Sequence, residues 1–539
     1  MTTATPPRPR PLPSILELPP IAEVRAPRWF ERIDRRLSTV AICLLLMAMS
    51  AFIRTRTLSG QLWFDEAGAV GLASQPLGSL LGAVHRAGAA PLYYLVLHVW
   101  VSLFGSGERA THGLSLLLGL ATVPVAMWVG WSIAGRRAGI FAAVLFAFSS
   151  FLTRYAEETQ PYELMVLLAL LATAGLVLGF VERRRGYLWL FCAGLALMLY
   201  TQGSALLYWV GAAAALVFVW RSVDPAHREG FVRDGLLCFG VAALLFVPWL
   251  PATISQIAHA TNPWHYAPLM GATVPSQLLG SERVDVTLLI CVVIAVAPLC
   301  VRARRRTPVA AMFWALIAIP AVALAVGRVA GFFVPVWAWR YFAPIVAPLL
   351  LLGAVSAARA RVVGVVGVVF CVAFLANAGS FAPNYKSDMR DVAAEMTPHL
   401  HAGDVVLVSQ PEQAPLAWYY LPTGLRWAST LGPVRDPSTV NWMGALGRLQ
   451  DADPRATLGP LVASLKPGQQ LLYVRPLTEG AKNWSAMWAQ LVRRRSAQWG
   501  QLLQDDRANG TLIPVATAPH NYRGACCVAD SAVLYRKAS

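Results

Sequence analysis

Two adjacent carboxylates, Asp65 and Glu66, stand in Trp63-Phe64-Asp65-Glu66, just after the first apolar run of the chain. Acids at a membrane surface are costly to keep without a use. A carboxylate placed there can take the proton of an attacking hydroxyl, which is general-base chemistry. A second loop, Arg154-Tyr155-Ala156-Glu157-Glu158-Thr159-Gln160-Pro161-Tyr162-Glu163, adds three more acids. Cations fall on the same predicted side: Arg154, His265, Arg340, Lys386 and Arg390. Cations at a bilayer rim can hold a phosphate leaving group attached to a lipid. Such a reaction needs positioning, a base and charge stabilisation. It needs no nucleotide, and the chain carries no P-loop or dinucleotide fingerprint.

The elements that must position these groups are membrane helices. The chain has 539 residues, 56% of them apolar, and a mean hydropathy of +0.52. Uncharged runs recur between residues 38 and 381, and a crossing helix needs roughly 20 apolar residues. The net charge of +17 does not point to nucleic acid here, because the arginines sit between apolar runs and set topology. Placing every Arg cluster in the cytoplasm gives about eleven spans. They fall near 38–53, 112–134, 138–152, 163–181, 187–201, 204–220, 235–253, 284–301, 308–327, 341–358 and 362–381. The run 91–104 is too short to cross and reads as re-entrant or interfacial. The expected protein is mainly α, a multi-pass plasma-membrane protein with a cytoplasmic N-terminus.

Three regions follow. Residues 1–37 are Pro/Arg-rich and read as disordered. Residues 38–381 form the membrane unit, whose long first outer loop, 54–111, suggests function. Leu77, Leu80, Leu81 and Val84 in that loop predict an amphipathic helix on the membrane. Residues 382–539 read as an extracytoplasmic α/β domain. Its strand candidates are 404–409, 470–475, 512–517 and 532–536, and its helix candidates are 411–420 and 480–495. Six of the eight cysteines lie in or beside spans, as small apolar residues would; Cys526 and Cys527 fall in the outer domain.

In order and spacing, several short motifs resemble one superfamily. They are Trp63-Phe64-Asp65-Glu66, Pro91-Leu92-Tyr93-Tyr94, Gly135-Arg136-Arg137-Ala138-Gly139, Tyr155 through Tyr162, Arg340-Tyr341-Phe342-Ala343-Pro344, and Asn384 through Arg390 leading to Gly403-Asp404-Val405-Val406. The chain is similar to the GT-C superfamily of polyprenyl-phosphate-sugar-dependent glycosyltransferases, and in particular to bacterial mannosyltransferase-like members. The resemblance implies a GT-C-like fold and inverting transfer of a hexose, mannose by preference, to an extracytoplasmic acceptor. It implies that Asp65 is the base and that Glu66 orients Asp65 or the acceptor. Arg340, Arg154 and Lys386 are then candidates for the donor phosphate, and Glu158, His265 and Tyr162 for acceptor contact or support. The partners are the bilayer, the lipid-linked donor and a glycan, glycolipid or protein acceptor. No metal site is expected and no cofactor is obligatory, although oxygen ligands such as Asp65, Glu66 and Glu158 could hold Mg²⁺ or Mn²⁺. Two positions depart from the superfamily pattern: Gln160 stands where Arg is usual, and His112 opens the stretch that usually reads Arg-Leu-Pro-Ser.

Blander readings compete. Asp65 could be a helix-capping acid. Arg340 could be an interfacial anchor. Glu157 and Glu158 could be solvated loop charges, and His265 an ordinary loop residue. A flippase or transporter of lipid-linked sugars would be expected to show charge within its spans or two matching halves. A non-catalytic glycan-binding membrane protein would leave Asp65 dispensable.

Overall fold

The computed structural model describes residues 35–56, 58–259, 274–300, 307–333, 338–377, 386–477, 487–518 and 529–539. The first helix, α1 (Arg35–Arg54), is followed by three short helices: α2 (Phe64–Ala73), α3 (Leu77–Arg86) and α4 (Pro91–Phe104). Next come α5 (Glu108–Ala134), α6 (Arg136–Ala147), α7 (Ser150–Tyr155) and α8 (Tyr162–Leu176), the last extended by a π-helical turn to Val181. The bundle continues with α9 (Leu188–Thr201), α10 (Ala205–Trp220), α11 (Arg228–Phe246) and α12 (Leu250–His259). It ends with α13 (Val274–Leu279), α14 (Glu282–Val296), α15 (Pro308–Ala330), α16 (Ala343–Arg359) and α17 (Arg361–Asn377). Among the described residues, five segments are long and apolar enough to cross a membrane: 108–134, 162–181, 225–259, 308–330 and 339–359. Shorter apolar helices run over 38–54, 91–104, 205–220 and 361–375.

Burial follows composition. Helix α8 is apolar all round, and most of it is buried, so it forms the centre of the bundle. Helix α11 turns Leu236, Leu237, Leu244 and Leu245 outward, and α17 does the same with Val362, Val369 and Phe370. Exposed apolar rows of this kind suit hydrocarbon as solvent, because a helix satisfies its own backbone.

The two faces of the bundle are chemically different. Arg136 donates to Ser38 and Thr39, and Arg137 donates to the Arg361 carbonyl. Tyr187 packs near Trp128 on the same side. These contacts gather Arg136, Arg137, the start of α1 and the α16–α17 junction on one face of the bundle. Helix α4 enters and leaves on the sheet-domain face. The Arg86 carbonyl before it accepts from the Trp442 amide, and the Ser106 carbonyl after it accepts from the Tyr419 hydroxyl. In α3, Leu80 and Val84 are buried, while Leu77 and Leu81 stay exposed.

The C-terminal domain holds a mixed sheet of β1 (Val405–Val408), β2 (Arg426–Ser429), β3 (Gly432–Val434), β4 (Gln470–Pro476), β5 (Leu512–Ala518) and β6 (Asp530–Lys537), in the order β3-β2-β1-β4-β6-β5. Strand β1 is parallel to β2 and β4, and the remaining pairs are antiparallel. All four residues of β1 are buried, as a strand covered on both faces must be. Helices 389–396 and 414–420 cover the face toward the membrane unit. The four expected strands are present. The 480–495 expectation corresponds to a longer helix, Met487–Ala508, and its first residues lie outside the described ones, as do Cys526 and Cys527.

The two units meet at α2. A Cβ on Gly71 would stand 1.8 Å from the Ser438 carbonyl oxygen, whereas a Cβ on Gly68 meets nothing within 4 Å. Gly→Ala inside a helix normally gains about 0.5–1 kcal/mol. Overpacking against backbone costs about 1–3 kcal/mol. Thermal unfolding of the purified protein should therefore show opposite signs: Gly68→Ala raises the melting temperature and Gly71→Ala lowers it.

Candidate active site

Helix α2 starts at Phe64 with Trp63 as its N-cap, so Asp65 and Glu66 occupy its first turn. Acids there complement the helix dipole. The two side chains nevertheless diverge. Glu66 turns inward, is fully buried, and accepts the Trp63 amide at 3.2 Å through Oε2. Asp65 makes no cap and points to the open side, with 36% of its side chain exposed.

Glu66 is surrounded by donors. Lys386 Nζ lies 2.9 Å from both carboxylate oxygens. His112 Nε2 and the Thr159 amide meet Oε1 at 2.9 and 2.8 Å. Burial alone would raise this carboxyl, but the Lys386 and His112 contacts outweigh it and hold Glu66 well below the usual carboxylate range. Lys386 also donates to the Glu157 carbonyl, and His112 Nδ1 bonds the Leu58 carbonyl at 2.8 Å. One carboxylate thus ties together α2, the start of α5, the loop before α8 and the chain entering the sheet domain.

Asp65 faces Arg340 at 3.9 Å. Burial raises the Asp65 carboxyl above its ordinary value; Arg340 opposes this and the Glu66 charge adds to it. Arg154 reaches the same recess, with its guanidinium 5.6 Å from the Trp339 ring and Nε 4.0 Å from Glu158. Glu158 is buried. Tyr162 packs against Tyr155 in a tilted arrangement, ring centres 4.5 Å apart, and lies within the field of Arg340 and Asp65. The structure therefore brings Asp65, Arg340, Arg154, Glu158 and Tyr162 around one recess, with Glu66 and Lys386 immediately behind it. His265 lies outside the described residues. Among the described residues no three His, Cys, Asp or Glu side chains converge as a metal site would.

Four features were not visible in the sequence. His112 marked only a departure from a motif, yet it is a direct partner of Glu66. Lys386, expected at a phosphate, has a buried carboxylate as its partner. Glu412 of the sheet domain is buried, lies within the field of Asp65, and is pushed up to about 7, mainly by burial. Deeper in, Arg54 and Glu163 are fully buried and face each other across Gly119, where a Cβ would stand 2.9 Å from each. Nothing in local sequence pairs residues so far apart.

No protein-family model matches the chain, and no curated protein is similar to it in sequence. Solved structures do match in shape. ArnT from Cupriavidus metallidurans in the apo state superposes with a TM-score of 0.56 at 15% identity, over 93% of this chain and 97% of that one. The same protein bound to undecaprenyl phosphate gives 0.54 at 15% identity, over 93% and 98%. At this identity the likeness is one of fold. The chain has the helical membrane fold with a small C-terminal sheet domain that the GT-C resemblance implied.

The Glu66 network has a stability signature. Glu66→Gln leaves the buried Lys386 ammonium without its counter-charge and weakens the His112 contact. Breaking a buried pair costs about 3–5 kcal/mol. Because the folded carboxyl is held below its unfolded value of about 4.3, its contribution is complete above that pH and is lost as pH falls through the folded value. Thermal melts from pH 7 downward should show a wide gap between wild type and Glu66→Gln at pH 7 that narrows in acid.

Proposed function

We propose that this chain is an integral-membrane glycosyltransferase that takes a sugar from a polyprenyl-phosphate donor. The observation that carries the reading is the Asp65–Arg340 pair, half-exposed at the rim of a fold shared with a protein crystallised with undecaprenyl phosphate. Asp65 accepts the proton of the acceptor hydroxyl. The oxygen forms its bond to the anomeric carbon as the bond from that carbon to the phosphate oxygen breaks. The electron pair leaves with the polyprenyl phosphate, and the anomeric centre inverts. Arg340 holds the departing phosphate by two parallel hydrogen bonds, a contact a lysine cannot reproduce. Arg154, braced by Glu158 and Trp339, supplies the second cation. Glu158 and Tyr162 line the acceptor side. Lys386 acts through Glu66, fixing the turn that carries Asp65. The donor sugar is a hexose, with mannose first by the motif resemblance, and the site faces out of the cytoplasm.

Neutralisation by arginine removes the need for an obligatory metal ion in this reading. Transfer should persist in chelator; complete loss restored by one divalent ion would overturn that part of the proposal. The direct test is incubation of the purified protein in nanodiscs with a panel of labelled polyprenyl-phosphate sugars and analysis of the product.

Asp65→Asn keeps size and removes the base, so turnover should fall by about 10²–10⁴-fold with insertion and folding intact. Near-normal transfer by this variant would refute Asp65 as base. A base works deprotonated, so activity rises with pH through the Asp65 value. Arg340 is the contact that lowers that value. Arg340→Ala should weaken donor saturation and move the acidic limb of residual activity to higher pH. Arg340→Lys should fall between, since it keeps the charge and loses the fork.

A further inference from the structure

The opposite face of the bundle carries a second polar recess that the transferase reading does not use. Segment 162–181 begins at the candidate site and ends at Val181, which at 1.5 Å per residue is roughly the thickness of the hydrocarbon core. Just beyond its end lies a pocket of about 570 Å³, lined among others by Phe180, Arg183, Arg185, His227, Phe231 and Asp234. Arg185 pairs with Asp234 at 3.1 Å, but among the described residues Arg183 has no carboxylate partner. Its guanidinium lies 6.0 Å from the Phe231 ring.

Arg183 is also backbone-strained. Its φ is +62°, a left-handed conformation that side chains rarely adopt and that turns usually assign to Gly or Asn. The strain follows the π-helical turn Val177–Val181. Both features recur at functional sites. A turn alone would be better served by glycine, so the side chain is the reason to keep arginine here. Exposed Trp189 lies near the pocket at the start of α9, and α11 leaves it with Val232, Leu236 and Leu237 facing outward.

We propose that this pocket binds the phosphate of an anionic phospholipid from the leaflet opposite the candidate active site, with Arg183 as its principal contact. The guanidinium presents a fork to the phosphate, Arg185 adds a second cation, and the acyl chains lie along the exposed face of α11. Basic pockets between membrane helices take anionic headgroups in this way.

The test uses the full-length protein in nanodiscs of phosphatidylcholine, with or without phosphatidylglycerol, and with inorganic phosphate added to phosphatidylcholine alone. Native mass spectrometry counts retained lipid, and thermal unfolding reads its effect. Phosphatidylglycerol should bind and raise the melting temperature, and inorganic phosphate should not. Arg183→Ala and Arg183→Gly should each lower phosphatidylglycerol retention by about tenfold or more. Arg183→Gly should in addition melt higher than wild type in phosphatidylcholine alone, because the strain is gone. Equal retention in wild type and both variants would make Arg183 a turn residue and overturn the proposal. A matching shift with inorganic phosphate would overturn the lipid assignment. Neither variant touches Asp65 or Arg340, so the outcome is separable from the transferase reading.

Discussion

A single buried carboxylate organises the candidate site. Glu66 has no contact with solvent, and its charge survives only because Lys386, His112 and the Thr159 amide all donate to it. Removing an ion from water costs several kcal/mol, so such a group is retained only where its partners are fixed. Those partners come from segments far apart in the chain. The same contacts that neutralise Glu66 therefore also fix where the first turn of α2 stands, and with it the direction of Asp65.

The sheet domain completes that frame. Lys386 belongs to the stretch that leads into it. Beside the network, Arg390 pairs with Glu108 at 2.7 Å, and Tyr420 donates to Glu108 while accepting the Leu62 amide at 2.8 Å. Leu62, Ala67 and Val70 belong to the same apolar cluster as Met389, Val392 and Leu416. The segment carrying α2 thus shares a core with the C-terminal domain. The close approach at Gly71 is what this joint requires, since any side chain there would meet the Ser438 backbone.

What the sequence made legible follows from the range of each signal. Long apolar segments such as 162–181 and 308–330 declare themselves by composition, because the bilayer sets their length. The apolar run 91–104 was visible in the same way and forms the short helix α4. Strands β1, β4, β5 and β6 were visible as apolar runs. Strand β2, Arg-Trp-Ala-Ser, is half-exposed and has neither a run nor a clean alternation, so it was missed. At the site, Asp65 and Arg340 were legible because charge beside an apolar run is conspicuous. The partnership of Glu66, His112 and Lys386 was not, because it joins positions separated by most of the bundle. His112 looked like a lost cation when compared with a motif, and only the tertiary fold gives it a partner.

Asp65 and Glu66 show how neighbouring identical groups acquire different work. They share a helix turn and the same dipole. Glu66 faces inward to Lys386 and His112 and is held well below the usual carboxylate range. Asp65 faces outward, where burial raises it and one guanidinium at 3.9 Å only partly compensates. A carboxylate held far below its ordinary value is a poor proton acceptor and a good anchor. One raised above its ordinary value has the opposite qualities. Each also acts on the other, since the Glu66 charge adds to the rise at Asp65. The burial that makes Glu66 a structural tie is therefore part of what raises the carboxyl of Asp65.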